Sequence, residues 1–192
     1  MKIQRLKLIL KPFMLILIVL NVGCTMTGAT YEASSYNVRE IENNLNNDLA
    51  VGDFTRTQSD RVQDPWVFRG ASKIKSPVGD GHHDFIADAI TNELMLARKL
   101  DGQSNLVLKG DLLEHKVDAA MSTGVGSVEM KFTLNTEGTV LYDKTKRIEH
   151  KWDSAFVGTT AANKAVRGHL EMIEMLVNSL FTDIDFINAI NE

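Results

Sequence analysis

His82-His83-Asp84 is the one place in the chain where residues of metal-ligand type stand side by side. Neighbouring side chains in an extended segment point to opposite sides. A tetrahedral site there would need ligands from elsewhere, with His115 or Asp80 the candidates. The spacing matches no tetrahedral zinc pattern. The simpler reading is of solvated residues opening a helix, with Asp84 serving the helix dipole. No metal and no cofactor are expected. His150 and His169 each fall on an apolar stripe. They form either a buried acid–base pair or, as we prefer, two core histidines, each bonded to a carboxylate or backbone group. Ser154 and Asp183 supply the remaining residue types of a hydrolase, but no glycine-flanked nucleophile turn surrounds any serine. Gly124-Val125-Gly126-Ser127 lacks the third glycine of a nucleotide-binding turn and reads as a hairpin loop. No catalytic residue is assigned, and an enzyme is not expected.

The sharper chemistry belongs to Cys24, the only cysteine in the chain. Lys2, Arg5, Lys7 and Lys11 make a cationic start, Phe13 to Leu20 is continuous hydrocarbon, and Gly23 is a small residue at a cleavage point. That is the pattern of a removable export signal. A membrane span needs about 20 apolar residues, roughly twice the run from Phe13 to Val22. Val22-Gly23-Cys24 resembles the end of a bacterial lipobox, whose cysteine is thioether-linked to diacylglycerol and then N-acylated, typically with palmitate. Asn21 departs from the pattern, standing where such motifs usually carry leucine. More than one acyl chain is needed for stable anchoring, and this modification supplies it. Thr25, rather than the aspartate of an inner-membrane retention signal, follows the cysteine, so the outer membrane is the expected location.

Four basic residues and no acidic ones lie in 1–23, so the 21 cations fall to 17 against 25 acidic side chains, a net charge of −8. Such a surface repels phosphate backbones and anionic head groups. Nucleic acid is not an expected partner, and the membrane is expected to be reached through the lipid alone. A lone cysteine also excludes an intramolecular disulfide.

Positioning these residues falls to a set of elements that the patterning predicts. Residues 24–48 read as the lipidated N-terminus and a polar tether, and 49–192 as one domain. A first strand is predicted over 49–54. Residues 55–83 hold Pro65, Pro77 and three glycines and read as irregular, with a short edge strand within 67–74. Trp66 and Phe68 in that segment are candidate partner-binding anchors or, equally, a cap on the open face of the sheet. A helix follows over about 83–100. From 106 to 119 the apolar parity switches from even (Leu106, Leu108, Leu112) to odd (Leu113, Val117, Ala119) numbers. One inserted residue exchanges strand faces, so a β-bulge is predicted there. Val128, Met130, Phe132 and Leu134 alternate as a half-buried strand. A third strand over 139–153 is interrupted by Lys144 and Lys146. The last long helix, about 160–181, carries the stripe Ala162, Val166, His169, Ile173, Leu176, Val177 and Leu180. Thr182-Asp183-Ile184-Asp185 resembles a capping box opening a short final turn. The order β-α-β-β-β-α predicts an α+β two-layer sandwich: a mainly antiparallel sheet of about four strands with two helices on one face.

Phe54, Asp60-Arg61, the helix Phe85-Ile86-Ala87-Asp88-Ala89-Ile90-Thr91-Asn92-Glu93-Leu94, Gly110-Asp111-Leu112 and Leu180-Phe181-Thr182-Asp183 together resemble the YajG-like bacterial lipoproteins. They also resemble the wider group of small α/β outer-membrane lipoproteins that includes transport-auxiliary components. The departure is an enlarged segment after Asp60-Arg61. The resemblance implies a non-enzymatic accessory protein of the envelope, binding a protein partner. The alternative is a pocket for a lipid or cell-wall fragment between helices and sheet, with Met172 and Met175 in its lining.

Overall fold

The alternation over 123–136 forms a long strand in the computed structural model, which describes residues 25–70 and 72–192. Cys24 and the expected export leader, 1–23, lie outside the described residues. The chain runs β1 (Thr25–Thr27), α1 (Ser35–Asn44), β2 (Ala50–Arg56), β3 (Trp66–Phe68), β4 (Ser72–Lys75), α2 (His82–Leu96), β5 (Leu106–Ala119), β6 (Thr123–Thr136), β7 (Thr139–Asp153), α3 (Gly158–Phe181) and α4 (Ile184–Asn191). The main sheet has the order β2-β5-β6-β7, with β2 parallel to β5 across the α2 crossover and the other pairs antiparallel. Helices α2 and α3 bury Phe85, Ile86, Ile90, Leu94, Met172 and Ile173 against the inward row Leu108, Leu112, Met130 and Phe132. The fold is α+β, as the patterning predicts. A second, smaller sheet, β1-β4-β3, stands beside it. The expected edge strand within 67–74 is in fact the β3–β4 hairpin of this sheet.

The predicted bulge is present. Leu112 pairs with Met130 but Glu114 pairs with Glu129, so Leu113 is the inserted residue. Before it the even-numbered side chains face the helices. After it, His115, Val117 and Ala119 do.

Two expectations about the ends of the domain are corrected. The segment read as a tether enters the core: β1 pairs with β4, Tyr31 is buried, and α1 buries Ile41 with Leu45 just beyond it. Few apolar residues in a polar stretch suffice here, because Tyr31 bonds Glu93 of α2 and α1 packs against α2 and α3. Trp66 and Phe68 are not surface anchors. Both are buried with Ile74, Val117, Ala119, Trp152, Ala161 and Ala165, closing the end of the layer that the bulge turns inward.

Near its start α3 rotates from the predicted stripe. Ala161, Ala165 and Gly168 are buried in place of Ala162 and Val166 because the indole of Trp152 occupies that space. A Cβ at Gly168 would stand 2.3 Å from Cδ2 of Trp152, and one at Gly124 2.2 Å from its Cε2. Gly124 lies within β6, opposite Trp152, so the expected hairpin loop at 124–127 is a strand. Gly168→Ala should lower stability by about 1–3 kcal/mol through overpacking, although alanine gains about 1 kcal/mol of helix propensity. Thermal unfolding checks the sign. A raised melting temperature would remove the close-approach argument.

Strand β7 is continuous. Lys144 and Lys146 sit on its inward face without breaking it because Asp183 and Asp185, at the start of α4, meet them. Asp183 also accepts from the Tyr142 hydroxyl at 3.0 Å and caps α4 by accepting from the Asp185 N–H at 2.9 Å. The cap is thus one residue later than predicted.

Candidate functional site

Three elements deliver a histidine each to one place. The bulge in β5 turns His115 inward, the first turn of α2 presents His82, and the middle of α3 presents His169. Bulges near sites commonly re-aim a side chain in this way. The three are 1%, 0% and 6% exposed, respectively, for His82, His115 and His169. Nε2 of His115 lies 3.0 Å from Nε2 of His169. The His82 and His115 rings stack at 4.2 Å, and His169 stands edge-on to both, at 5.2 Å from His82 and 5.1 Å from His115. Phe85 and Trp66 close over the His169 ring at 5.7 Å and 6.2 Å.

The segment after Asp60-Arg61 supplies the supporting groups. It runs beside β5 at the bulge, with the His115 N–H donating to Arg61 O and the Gln63 N–H to His115 O. Nδ1 of His115 lies 2.9 Å from Gln63 O. A carbonyl only accepts, so Nδ1 carries the proton and Nε2 of His115 holds a lone pair. The short Nε2 contact is then a hydrogen bond donated by His169. Asp64 receives Nδ1–H of His82 on Oδ1 at 2.9 Å, and the His82 N–H at 2.7 Å and Arg56 at 2.8 Å on Oδ2. Residues 61–64 therefore supply the groups that orient two of the three histidines.

Electrostatics follow from that geometry. Burial, reinforced by the charge of His82, pushes the His115 imidazole down to about 3, and the Gln63 carbonyl only partly opposes it. Burial also holds His169 well below the ordinary range, with His115 and His82 adding to the effect. Burial acts to raise the Asp64 carboxyl, but the His82 hydrogen bond and charge, the His82 N–H and Arg56 outweigh it and hold it at about 2.

The expectation of solvated residues at 82–84 is thus wrong for His82 and His83, both of which are buried. His83 points the other way from His82, toward Asp80 at 3.4 Å and Asp84 at 3.6 Å. His150 and His169 do not form a pair. His150 bonds Glu171 at 3.0 Å, as a half-buried histidine with a carboxylate should, whereas His169 bonds another histidine. Ser154 meets Arg69, and Asp183 meets Tyr142 near the other end of β7. Asp183 also meets Lys146, and even that residue stands roughly 26 Å from Ser154 along the strand at about 3.3 Å per residue. The sequence offers His115 as a partner for His82, but places His169 on an apolar stripe with nothing to join it to them.

Two surface features carried no sequence signal beyond exposed apolar side chains. Met121, Phe156 and Val157 project from neighbouring loops at the end of the sheet, joined by the Ser154 N–H to Ser122 O bond. A groove of ≈ 620 Å³ lies between α1, β7 and α3, lined by Tyr36, Ile148, His150, Glu171 and Met175. Met172, expected in a pocket with Met175, is instead buried in the core.

No family model matches the sequence, and no curated protein matches it. Among solved structures, a Xanthomonas campestris protein of the DUF330 family superposes with a TM-score of 0.57 at 12% identity, covering 85% of this chain and 96% of its own. At that identity the likeness is one of fold. A minor lipoprotein from Acinetobacter baumannii is more distant, with a TM-score of 0.42, 9% identity, and coverage of 73% of this chain and 92% of its own.

Proposed function

We propose that this chain is a lipid-anchored accessory protein of the bacterial outer envelope, acting by binding a protein partner rather than by catalysis. The observation that carries the reading is Cys24: a lone cysteine after a small residue, at the end of a cationic and apolar leader too short to span a membrane. The YajG-like resemblance belongs to the same reading. The fold adds a geometric consequence. Thr25 already pairs with Lys73, so a lipid on Cys24 holds the β1-β4-β3 sheet against the bilayer without a long free tether. The partner surface is then the apolar tip of Met121, Phe156 and Val157. Phe156 is 79% exposed, and large apolar side chains grouped at a surface are the usual anchors of interfaces.

The test is a pair of variants of the full chain, leader included, in a bacterial host. Cys24→Ser should abolish labelling by radioactive palmitate and release the protein from the outer-membrane fraction. Phe156→Asp should leave labelling intact and remove the principal adduct formed by mild crosslinking in membranes. Persistent labelling of Cys24→Ser sinks the anchor, and an unchanged adduct pattern sinks the tip. The groove beside Met175 supports a second reading, an apolar ligand such as a lipid or cell-wall fragment. Native mass spectrometry of the membrane-extracted chain would show such a ligand as added mass.

A further inference from the structure

We propose that His82, His115 and His169 form a site for one divalent first-row metal ion, with zinc the ion that best suits them. This departs from the expectation of no metal, which rested on spacing along the chain. The ligands come from three elements, and no spacing rule sees that.

The donor set fits. Imidazole nitrogens suit zinc, copper and nickel, whereas magnesium and calcium require oxygen ligands, and none lies among these three. One ring nitrogen of each histidine lies within 4.8 Å of one from each of the other two. In a tetrahedral zinc site with Zn–N near 2.0–2.1 Å, ligand nitrogens stand roughly 3.3 Å apart. The His115–His169 pair, at 3.0 Å, is already near that separation. The supporting contacts fit as well. Metal-binding histidines generally donate their other ring N–H to a carboxylate or a backbone carbonyl. Here Nδ1 of His82 donates to Asp64 and Nδ1 of His115 to Gln63 O, which leaves Nε2 of each as the donor atom. His169 meets an ion by giving up its Nε2 proton in favour of the other tautomer. The stacked His82 and His115 rings must splay to converge on one ion.

A fourth position is also available. A cavity of ≈ 10 Å³ beside the cluster is lined by Trp66, His82 and His169 together with Lys75, Pro77 and Val166. That is about the room one water requires. Trp66, in the same wall, has a buried Nε1–H without a partner. Three histidines with an open fourth position is the arrangement of a zinc ion that keeps a water or exchangeable ligand.

The test uses the full chain extracted in detergent, with zinc and cobalt(II) ions as probes. One zinc should remain per chain after dialysis. Cobalt should give the intense visible bands of a four-coordinate site. His169→Gln should abolish both, and Asp64→Asn, which keeps all three ligands, should weaken zinc binding 10–100-fold. His82→Gln, at the helix start, repeats the test should His169→Gln fail to fold by circular dichroism. Asp80→Asn, which alters the neighbouring His83 cluster, should change nothing. Zinc uptake that is absent from the parent chain, unaltered in the histidine variants, or lost in Asp80→Asn would overturn the proposal. The site is independent of the anchor, so Cys24→Ser should bind zinc as the parent does.

Discussion

Glu93→Ala should destabilise the protein by about 3–5 kcal/mol, the scale expected when buried donors lose a charged partner. Glu93 is fully buried in α2, and its Oε1 accepts from the Tyr31 hydroxyl at 2.6 Å, the Ser34 N–H at 2.9 Å and Asn37 Nδ2 at 3.2 Å. Asn37 in turn accepts from Asn178 of α3 at 2.9 Å. One carboxylate oxygen therefore ties residues 31–37 to both core helices. Burial, together with the hydrogen bond to Glu93 and its charge, pushes the Tyr31 phenol above its ordinary range. Alanine would strand the Tyr31 hydroxyl and the Ser34 N–H, leave Asn37 Nδ2 with only the Glu174 carbonyl at 3.3 Å, and open a cavity. Glu93→Gln retains the accepting oxygen and should cost far less. Urea unfolding of the two variants measures the difference. A loss below about 1 kcal/mol for alanine would mean that 31–37 is not held through Glu93.

The second large effect is with pH, in the protein freed of metal by a chelator. His115 is held at about 3 in the folded protein and His169 is also well below its ordinary value, whereas in the unfolded chain both titrate near 6.5. Below about pH 6.5 the unfolded state therefore takes up protons that the folded state refuses. Stability is fully present above that pH and falls as pH drops toward the folded values. Each group contributes up to about 1.4 kcal/mol per pH unit. The pair should remove on the order of 3 kcal/mol between pH 7 and pH 5. Asp64 and Glu114, both held at about 2, extend the loss further into acid. For Glu114, burial opposes the shift, and Arg147, Ser127 and Arg61 outweigh it. Their contribution is present above the ordinary carboxylate range and disappears as pH falls toward 2. His115→Gln should roughly halve the slope between pH 6.5 and 5. A parent protein of constant stability from pH 7 to 5 would rule out neutral, buried histidines.

Legibility followed the range of the interaction. The alternation of Val128 to Leu134 and the parity switch at Leu112-Leu113 are local periodicities, and the structure reproduces them; the start of α4 was legible to within one residue, with Asp183 rather than Thr182 as its cap. The tether reading of 24–48 missed its contacts because Tyr31 finds Glu93 62 residues away. Trp66 and Phe68 left two roles open, and only the packing of Trp152 and α3 chose between them. Of the site, His82 and His115 were singled out together, and the bulge that turns His115 inward was legible. His169 lies 54 residues beyond His115 and looked like one more member of an apolar stripe. No pattern in a single chain announces which stripe residue will face another histidine.

The most direct test of the central claim, that three elements converge on one buried histidine centre, is imidazole ¹⁵N–¹H NMR of the full chain, stripped of metal by a chelator, in detergent from pH 8 to 5. His115 should appear as the Nδ1-protonated tautomer, with His115 and His169 unchanged across the range and cross-relaxation linking the rings of His82, His115 and His169. Titration of His115 and His169 near the ordinary value of about 6.5, with no contact between their rings, would contradict it.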